Sequence, residues 1–383
     1  MRTQIVREGL VQLEILELEG YQAPGGDFVP SRTPLCYNPH MELSRDLSVL
    51  ACAVFARSRP GCTVCDPLAG VGARGLRYAK ETEARWVVLS DRSSLAQEFL
   101  RGNVKLNGLS NVEICGQDAN ALLHTRKFDL IDLDPFGSPA PFLDAACRSL
   151  RNGGLLMMTA TDLAPLCGKG ERACARKYSA RPLRTEYCKE LGMRILMGFA
   201  VRTAAKLNLS LRPAFCHATR HYFRVAMFGK RSRRETDQAL REMGFVSHCF
   251  NCCERKISRG LVPRLPENCE CGARMEHAGP LWLGPLGDPI FLSQMREELD
   301  RRDFRLRAEE RRLLQLLLEE CEAPPFHFSL HLLCSKLRSS SPKMERVIEG
   351  LRRRGFKAVR THFSPDGLKT DAPVRAIEEE LKR

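Results

Sequence analysis

Between residues 63 and 160 the sequence alternates short apolar runs with amphipathic ones, and this alternation constrains the fold more than any other feature. Strands are predicted in TVCDPLAG, WVVLSD, NVEICGQD, KFDLIDLDP and LLMMTATD, and helices in RGLRYAKETE, SLAQEFLRGNVKLNG and PFLDAACRSLRNGG. Such alternation is typical of an open, mostly parallel, doubly wound sheet, whose sites lie beyond the carboxyl ends of the strands. We therefore predict an α/β fold with a Rossmann-like domain over residues 46–230.

The segments on either side have other patterns. Residues 1–45 predict one or two strands and then an ordered loop rich in proline and glycine. The composition changes near residue 230, and residues 231–383 predict a smaller α+β domain. Within it, residues 326–363 read as helix, turn, helix and strand, a winged-helix-like unit. Ser341 is the predicted cap of the second of these helices, and Pro342 is its predicted first residue.

The turn after the first strand of the alternating region contains Gly70-x-Gly72-x-x-Gly75. Glycines let the backbone turn tightly and approach a ligand, and the helix that follows offers free N–H groups. The pattern fits a dinucleotide-binding loop and an adenosylmethionine-binding loop equally well. An ordinary tight turn between strand and helix is the alternative without a ligand.

Acidic residues end three successive predicted strands. Asp66 ends the first and Asp91 the second, at about the distance where an acid meets ribose hydroxyls. Asp118 follows the third, where its carboxylate could accept from an adenine amino group. Each acid taken singly reads as a helix N-cap. Together they predict a crevice for a nucleoside cofactor, with NAD and adenosylmethionine still undecided.

The fourth strand of this region ends in IDLDPFGSP, where Asp132 and Asp134 point to the same side by strand period. A pair of this spacing can bind a divalent metal, but Pro135 and Phe136 follow directly. The Asp-Pro-Phe turn resembles the (Asp/Asn)-Pro-Pro-(Tyr/Phe) motif of methyltransferases that modify amino groups on planar systems. We therefore predict that Asp134 orients an amine, Pro135 fixes the turn and Phe136 stacks on a base, while Asp132 is structural.

Charge and hydropathy narrow the choice of partner. The net charge of +14, with basic runs such as GKRSRRE and LRRRGFKAVR, favours a nucleic-acid partner. The sequence lacks a run of about 20 apolar residues, so no membrane span is predicted. The first residues lack the apolar core of a signal peptide. We expect a cytoplasmic protein that acts as a monomer.

One group of the 17 cysteines is clustered, in HCFNCCERK and NCECG. A CxxC pair followed by a second close pair fits a tetrahedral zinc site, and such a site would stabilise a loop-rich segment. The predicted ligands are Cys249, Cys252, Cys269 and Cys271. Cys253, His248 and His277 are not expected to bind the metal. Five unpaired thiols in a loop are the alternative.

Taken together, these stretches resemble the archaeal and eukaryotic tRNA (guanine 26, N2)-dimethyltransferase family. The resemblance runs in family order from about residue 36 to 373. Its stretches are CYNPHMELSRDLSVL, DPLAGVGARGLRYA, LSDRS, QDANALL, IDLDPFGSPAPFLDAA, TATDLAPLCG, RKYSARPLRTEYCKELGMRIL, HYFRVAM, GPLWLGPLGD and RTHFSPDGLKTDAP. IDLDPFGSP and THFSPDGLKT are the most specific of them.

The resemblance implies a class I methyltransferase domain that uses S-adenosyl-L-methionine, and a C-terminal domain that binds tRNA. By motif, the implied cofactor contacts are Arg45, Arg74, Asp91, Asp118 and Ala119, beside Asp66, Gly70 and Gly72 from the turn. Asp134 is the implied catalytic residue, and zinc is carried by part of the family.

Two positions depart from the family pattern, which usually has asparagine where Ser44 stands and an aromatic residue where Cys36 stands. Without that aromatic residue, Phe136 would have a weaker partner across the base. Two other functions stay open at this point. One is a methyltransferase acting on another nucleic-acid or protein amine, and the other is a catalytically silent tRNA-binding protein.

Overall fold

A computed structural model describes residues 2–17, 33–35 and 37–382 of the chain. The chain divides into two compact units. The first comprises residues 1–160, 226–229 and 293–314, and the second comprises residues 161–225, 230–292 and 315–383. Cys36, which stands where the family usually has an aromatic residue, lies outside the described residues.

The helices and strands up to residue 160 follow the predicted alternation, apart from one short helix, Ala119–Thr125, that was not predicted. They are β1 (Thr3–Glu8), β2 (Val11–Leu16), α1 (Glu42–Ser58), β3 (Thr63–Asp66), α2 (Gly75–Glu81), β4 (Trp86–Ser90), α3 (Ser94–Leu106), β5 (Val112–Cys115), α4 (Ala119–Thr125), β6 (Phe128–Leu133), α5 (Leu143–Ser149) and β7 (Leu150–Ala160). β1 and β2 form an antiparallel hairpin in the segment for which one or two strands were predicted.

The elements after residue 160 are helices, two strands of the main sheet and the strands of two smaller sheets. They are α6 (Leu163–Leu166), α7 (Glu171–Tyr178), α8 (Cys188–Ala205), β8 (Leu209–Thr219), β9 (Tyr222–Arg231), α9 (Arg233–Arg241), β10 (Met243–His248), β11 (Arg255–Arg259), β12 (Glu276–Trp282), α10 (Pro289–Asp300), α11 (Arg307–Glu320), β13 (Phe328–Ser329), α12 (Leu330–Leu337), α13 (Met344–Arg353), β14 (Ala358–Arg360), β15 (Gly367–Thr370) and α14 (Val374–Leu381).

The main sheet has seven strands in the order β5-β4-β3-β6-β7-β9-β8. The four neighbouring pairs from β5 to β7 are all parallel. Val64, Val88 and Leu130 on its strands are fully buried. This mostly parallel α/β sheet confirms the predicted fold class, and it places the carboxyl ends of β3, β4, β5 and β6 at one edge.

The glycine turn between β3 and α2 requires its glycines. Gly72 has φ +86°, and a Cβ there would lie 2.8 Å from Leu100 Cδ2. A Cβ on Gly75 would lie 2.0 Å from Leu89 Cδ2, so α2 packs directly on β4 at this point. The missing side chains therefore allow both the turn and the close approach of helix to sheet.

Two predicted helix boundaries were wrong. α5 ends at Ser149 rather than continuing through the glycines, because Leu150 pairs with Phe128 and joins the strand ladder of β7. α13 begins at Met344 with Lys343 as its cap, two residues beyond the predicted start at Pro342. The apolar face of this helix is buried, with Met344, Val347 and Ile348 in the core, and this burial decides where the helix lies.

The second unit contains two small antiparallel sheets. One has the order β11-β10-β12, and the other has the order β13-β15-β14 with α12 and α13 following β13 in the chain. A hydrophobic cluster joins α12, α13 and α14 around Leu333, Val347, Leu351 and Ile377. None of the helices in the described ranges combines the length and apolarity that crossing a membrane requires.

Candidate active site

Asp134 follows the last residue of β6, at the edge where the parallel strands end. Its side chain is 24% exposed, and its Oδ2 accepts a hydrogen bond of 2.7 Å from Arg74 Nε. Arg74 is only 4% exposed and lies in the glycine turn that leads into α2. Two motifs 60 residues apart thus meet through one charge-assisted hydrogen bond.

Helix α1 holds the far end of the Arg74 guanidinium. Nη1 donates to Ser48 Oγ and Nη2 donates to Ser44 Oγ, each at 3.0 Å. The two serines are four residues apart and so lie on one helix face. Sequence reasoning noted Ser44 only as a departure from the family pattern and missed Ser48; their spacing was the available signal.

Three carboxylates, those of Asp66, Asp132 and Asp134, act on one another at the ends of β3 and β6. Burial, and then the charges of Asp132 and Asp134, raise the pKa of Asp66 to about 8. Asp132 is fully buried and accepts a hydrogen bond from the Tyr78 hydroxyl, as suits a structural acid. Burial alone would lower the pKa of Arg74, but the charges of Asp134 and Asp132 outweigh it, so that this pKa is raised. Asp66 is therefore neutral at pH 7 beside two other acids and one cation.

Asp91 joins the glycine turn to the end of β4. Its Oδ2 accepts from the Gly70 amide at 3.1 Å, and its Oδ1 accepts from the Ser93 amide at 2.9 Å. Asp118 caps α4 by accepting from the amides of Asn120 and Ala121, and it is exposed. Ala119 beside it is buried. The structure thus brings Asp91 and Gly70 into direct contact, and it gives Asp118 a capping contact as well.

Arg45 lies in the interior, with 5% exposure. Its guanidinium donates twice to the carboxylate of Glu8 and once to the carbonyl of Asn38 at 3.1 Å. Burial alone would raise the pKa of Glu8, but the charges of Arg45 and Arg77 outweigh burial and lower this pKa to about 2. Glu8 was missed by sequence reasoning, because nothing local connects the first strand to residues 37 positions later.

The Asp-Pro-Phe turn presents one aromatic ring. Phe136 is 69% exposed, whereas Pro135 before it is buried, and Gly137 after it has φ +83°. In the chain, this exposed ring comes two residues after the partly exposed carboxylate of Asp134. The turn therefore offers a free aromatic face next to the carboxylate of Asp134.

The four cysteines predicted as metal ligands converge in the second unit. The sulfurs of Cys249, Cys252, Cys269 and Cys271 all lie within 4.8 Å of one another. Cys249 Sγ is 3.5 Å from Cys271 Sγ, and Cys252 Sγ is 3.5 Å from Cys269 Sγ. A tetrahedron with Zn–S bonds of about 2.3 Å has edges of about 3.8 Å, so this donor set fits zinc.

The neighbours of this cysteine group have other contacts. Cys253 is 2% exposed, has φ +62° and belongs to the hydrophobic cluster of α12, α13 and α14. His277 Nδ1 lies 2.9 Å from Ser247 Oγ. Burial and the charges of Arg255 and Lys336 lower the pKa of His248 to about 4, and its ring packs on Tyr187 and Phe250.

The fold and site together define a class of protein. A mostly parallel sheet, a glycine turn after β3 and carboxylates at successive strand ends are the features of an α/β protein that binds a nucleoside cofactor. The family profile described as N2,N2-dimethylguanosine tRNA methyltransferase matches residues 13–382. The chain belongs to this family, and the resemblance inferred from the sequence is confirmed.

Individual relatives cover the chain end to end. The tRNA (guanine(26)-N(2))-dimethyltransferase of Methanobrevibacter smithii is 39% identical over 386 residues, which is 100% of this chain and 97% of that protein. That of Methanothermobacter thermautotrophicus is 39% identical over 98% of each chain. A solved structure of Trm1 from Pyrococcus horikoshii with S-adenosyl-L-methionine has a TM-score of 0.88 at 35% identity and covers 99% of this chain and 100% of its own.

Proposed function

We propose that this chain is a tRNA (guanine 26, N2)-dimethyltransferase that uses S-adenosyl-L-methionine. The observation that carries the proposal is the end of β6, where the partly exposed carboxylate of Asp134 stands beside the free ring of Phe136. Full-length similarity to the relatives of that name supports the choice of guanine and of tRNA.

The chemistry follows from the properties of the exocyclic amine. Its lone pair is delocalised into the ring, so hydrogen bonds from N2–H to acceptors help to restore its nucleophilicity. In the proposed mechanism Asp134 accepts one such bond, Pro135 fixes the turn, and Phe136 stacks on the base after the base leaves its helix. Transfer to N2 is direct, because the amine itself is the nucleophile.

The cofactor is assigned to the edge of β3, β4 and β5. We propose Asp91 for the ribose hydroxyls, Asp118 with Ala119 for the adenine, and Asp66, Gly70, Gly72, Arg74 and Arg45 for the rest of the crevice. S-adenosyl-L-methionine supplies an electrophilic methyl group on a sulfonium. The buried position of Arg45 against Glu8 suits a contact made through one remaining edge of its guanidinium.

We propose residues 231–383 as the tRNA-binding domain and residues 46–230 as the methyltransferase domain, preceded by N-terminal strands and a loop over residues 1–45. The order β13-β15-β14 with two helices after β13 suits a winged-helix-like unit. The four convergent sulfurs support a structural zinc ion. We further propose a cytoplasmic monomer, since tRNA is the substrate and none of the observations requires a protein partner.

Mass analysis of the nucleosides of one treated tRNA transcript tests this function. We expect N2-methylated guanosine to form from the wild-type transcript and no methylated nucleoside to form when guanine 26 is replaced by adenine. Methyl incorporation that persists in the substituted transcript would contradict the assignment of the site. Tight tRNA binding without any incorporation would instead indicate a catalytically silent binding protein.

A further inference from the structure

The segment from residue 161 to residue 190 in the second unit has an excess of cations over acids. Each of its four acids has a partner: Asp162 binds Lys177, Glu171 binds Arg181, Glu186 lies 3.8 Å from Arg255, and Glu190 binds Arg194 and Lys369. Five exposed cations have no ion pair or side-chain hydrogen bond within the described ranges. They are Lys169, Arg172, Arg176, Arg184 and Lys189.

Three of these cations are brought together by the backbone. Gly168 has φ +88°, and a Cβ there would lie 2.7 Å from the backbone nitrogen of Arg184, so the turn before Lys169 packs directly on the chain at Arg184. Hydrogen bonding to the Cys188 thiol and burial raise the pKa of Cys167, whereas the charges of Lys189 and Lys169 lower it. Both ammonium groups thus act on the Cys167 thiol, and Lys169 directly follows the glycine that packs on the chain at Arg184.

The geometry points to a phosphate-binding surface formed by Lys169, Arg184 and Lys189 that takes the RNA substrate, an inference that rests on the function proposed above. Unpaired, exposed lysine and arginine side chains on a close-packed backbone are suited to phosphate oxygens. Arg172 and Arg176, one turn apart on α7, continue the positive charge within seven residues of Lys169.

The surface recognises the backbone of the RNA rather than its bases. The aromatic residues of the segment, Tyr178 and Tyr187, are fully buried, so neither offers a ring on which a base could stack. Contacts to phosphate position a nucleic acid without reading its sequence. The affinity that this surface contributes should therefore be the same for a tRNA with guanine 26 and for one with adenine 26.

The position of the segment in the chain is consistent with this role. It begins directly after β7, and Leu133 of β6 pairs with Met158 of β7 in parallel. The carboxyl ends of these two strands lie at the same edge, and Asp134 follows the first of them. In the sequence, the cationic segment therefore starts at the residue that follows β7, the strand paired with β6.

The test is the salt dependence of tRNA binding by the full chain in which Lys169→Gln, Arg184→Gln and Lys189→Gln are combined. Loss of three phosphate contacts should reduce the slope of log affinity against log salt by about 2–3 and weaken binding by about tenfold or more at 0.1 M salt. The turnover number at saturating tRNA and the affinity for S-adenosyl-L-methionine should change less than about twofold. The fall in affinity should be equal for the guanine 26 and adenine 26 transcripts.

A matched control removes three exposed cations of the first unit that also lack described partners, by Arg85→Gln, Lys105→Gln and Arg312→Gln. This variant carries the same change in net charge and should keep the wild-type slope to within about one unit. Equal losses in the two triple variants would overturn the inference, as would an unchanged slope in the first.

The outcome is separable from that of the proposed function. If the wild-type chain methylates guanine 26 and the first triple variant binds tRNA with the wild-type slope, the surface is refuted and the function stands. If no methylated guanosine forms and the triple variant still loses RNA affinity with the reduced slope, the function is refuted and the surface stands.

Discussion

Asp134 and Arg74 form the contact on which the proposed chemistry depends. The guanidinium is buried, donates to Asp134 at 2.7 Å and is fixed from behind by the two serines of α1. A carboxylate held in this way has little freedom to rotate, and the oxygen that Arg74 leaves free can accept from an amine. Preorganised acceptors of this kind lower the barrier to reaction without reorganising during it.

Replacing Asp134 by asparagine should abolish most of the turnover. The amide keeps the shape of the side chain, but its negative charge is lost, so it accepts more weakly from the amine and cannot take its proton. We expect the turnover number to fall by about 10²–10⁴-fold with the affinity for S-adenosyl-L-methionine largely retained. Single-turnover kinetics and calorimetry measure the two quantities.

The control for this variant is Asp144→Asn, ten residues after Asp134 in the chain. This change removes a solvent-accessible carboxylate that forms an ion pair with Arg148. It should retain the wild-type turnover. Turnover of Asp134→Asn within a factor of about three of wild type would show that Asp134 does not act on the amine.

Asp66 makes the stability of the chain depend on pH. Because its folded pKa is about 8, while an unfolded aspartate has a pKa of about 4, the folded chain keeps a proton that the unfolded chain loses in this window. The free energy of unfolding contributed by this group therefore falls as the pH rises from about 4 to about 8, and is level above that. Asp66→Asn should remove this fall.

Urea unfolding of wild type and Asp66→Asn at pH 5 and pH 8 measures this difference. The free energy of unfolding of the variant relative to that of the wild type should increase from pH 5 to pH 8. The increase should be on the order of a few kcal/mol. An equal difference at both pH values would mean that Asp66 titrates normally in the folded chain.

At the residue scale, the sequence predicted which side chains end the strands but not what holds them. Asp66, Asp91, Asp118 and Asp134 could be read from strand patterns, since each follows an apolar run. The serines behind Arg74 could not, because they lie 26 and 30 residues away in another element. Contacts of that kind depend on how helix and sheet pack, which no local pattern encodes.

At the element scale, the turn between β3 and α2 is fixed by packing of helix on strand. Gly75→Ala would place a Cβ 2.0 Å from Leu89 Cδ2, and it should destabilise the chain by about 1–3 kcal/mol. Gly102→Ala in α3 is the matched control, since its Cβ would meet nothing closer than Glu14 Oε2 at 3.8 Å. That change should stabilise by about 0.5–1 kcal/mol. Thermal unfolding of both variants gives the comparison, and equal midpoints would contradict it.

The cysteine group contacts the rest of the second unit through Lys336 and Cys253. Lys336 Nζ donates to the carbonyls of Phe250 and Asn251, between the first two cysteines of the group. Cys253 lies in the hydrophobic cluster beside it. The cysteine group is therefore attached to its surroundings by two contacts that do not involve a metal, one polar and one apolar.

Metal content separates the ligands from Cys253. Elemental analysis of the purified chain should give one zinc per wild-type chain, close to zero for Cys271→Ala and one for Cys253→Ala. Among the described cysteines, the converging sulfurs are those of Cys249, Cys252, Cys269 and Cys271. Zinc retained in the first variant and lost in the second would reverse the assignment of the ligands.

Predictions of elements succeeded where one pattern decided the structure and were wrong where two patterns competed. The glycines after Ser149 suggested a helix end, but pairing with β6 takes the chain into a strand from Leu150 onward. At α13 the local capping signal of Ser341 and Pro342 competed with burial of Met344, and burial decided the start of the helix. Tertiary packing overrides local signals at such boundaries.

At the scale of the whole molecule, the proposed catalytic carboxylate and the proposed phosphate-binding surface lie in different units. The strand-end carboxylates belong to the first unit, and the cysteine group and the segment 161–190 belong to the second. The stretches that indicated the family are spread over both units, which is why a single sequence sufficed to identify it across residues 13–382. The choice between one and two methyl groups depends on the space around the base, which the sequence does not determine.

The exocyclic amine of guanine 26 is the proposed methyl acceptor, and one substitution in the substrate tests this directly. Inosine at position 26 of a tRNA transcript removes that amine and leaves the rest of the base unchanged. We predict that methyl incorporation from labelled S-adenosyl-L-methionine falls to background, while the transcript binds with an affinity within about tenfold of the guanine form. Incorporation at the rate of the guanine transcript would contradict the account.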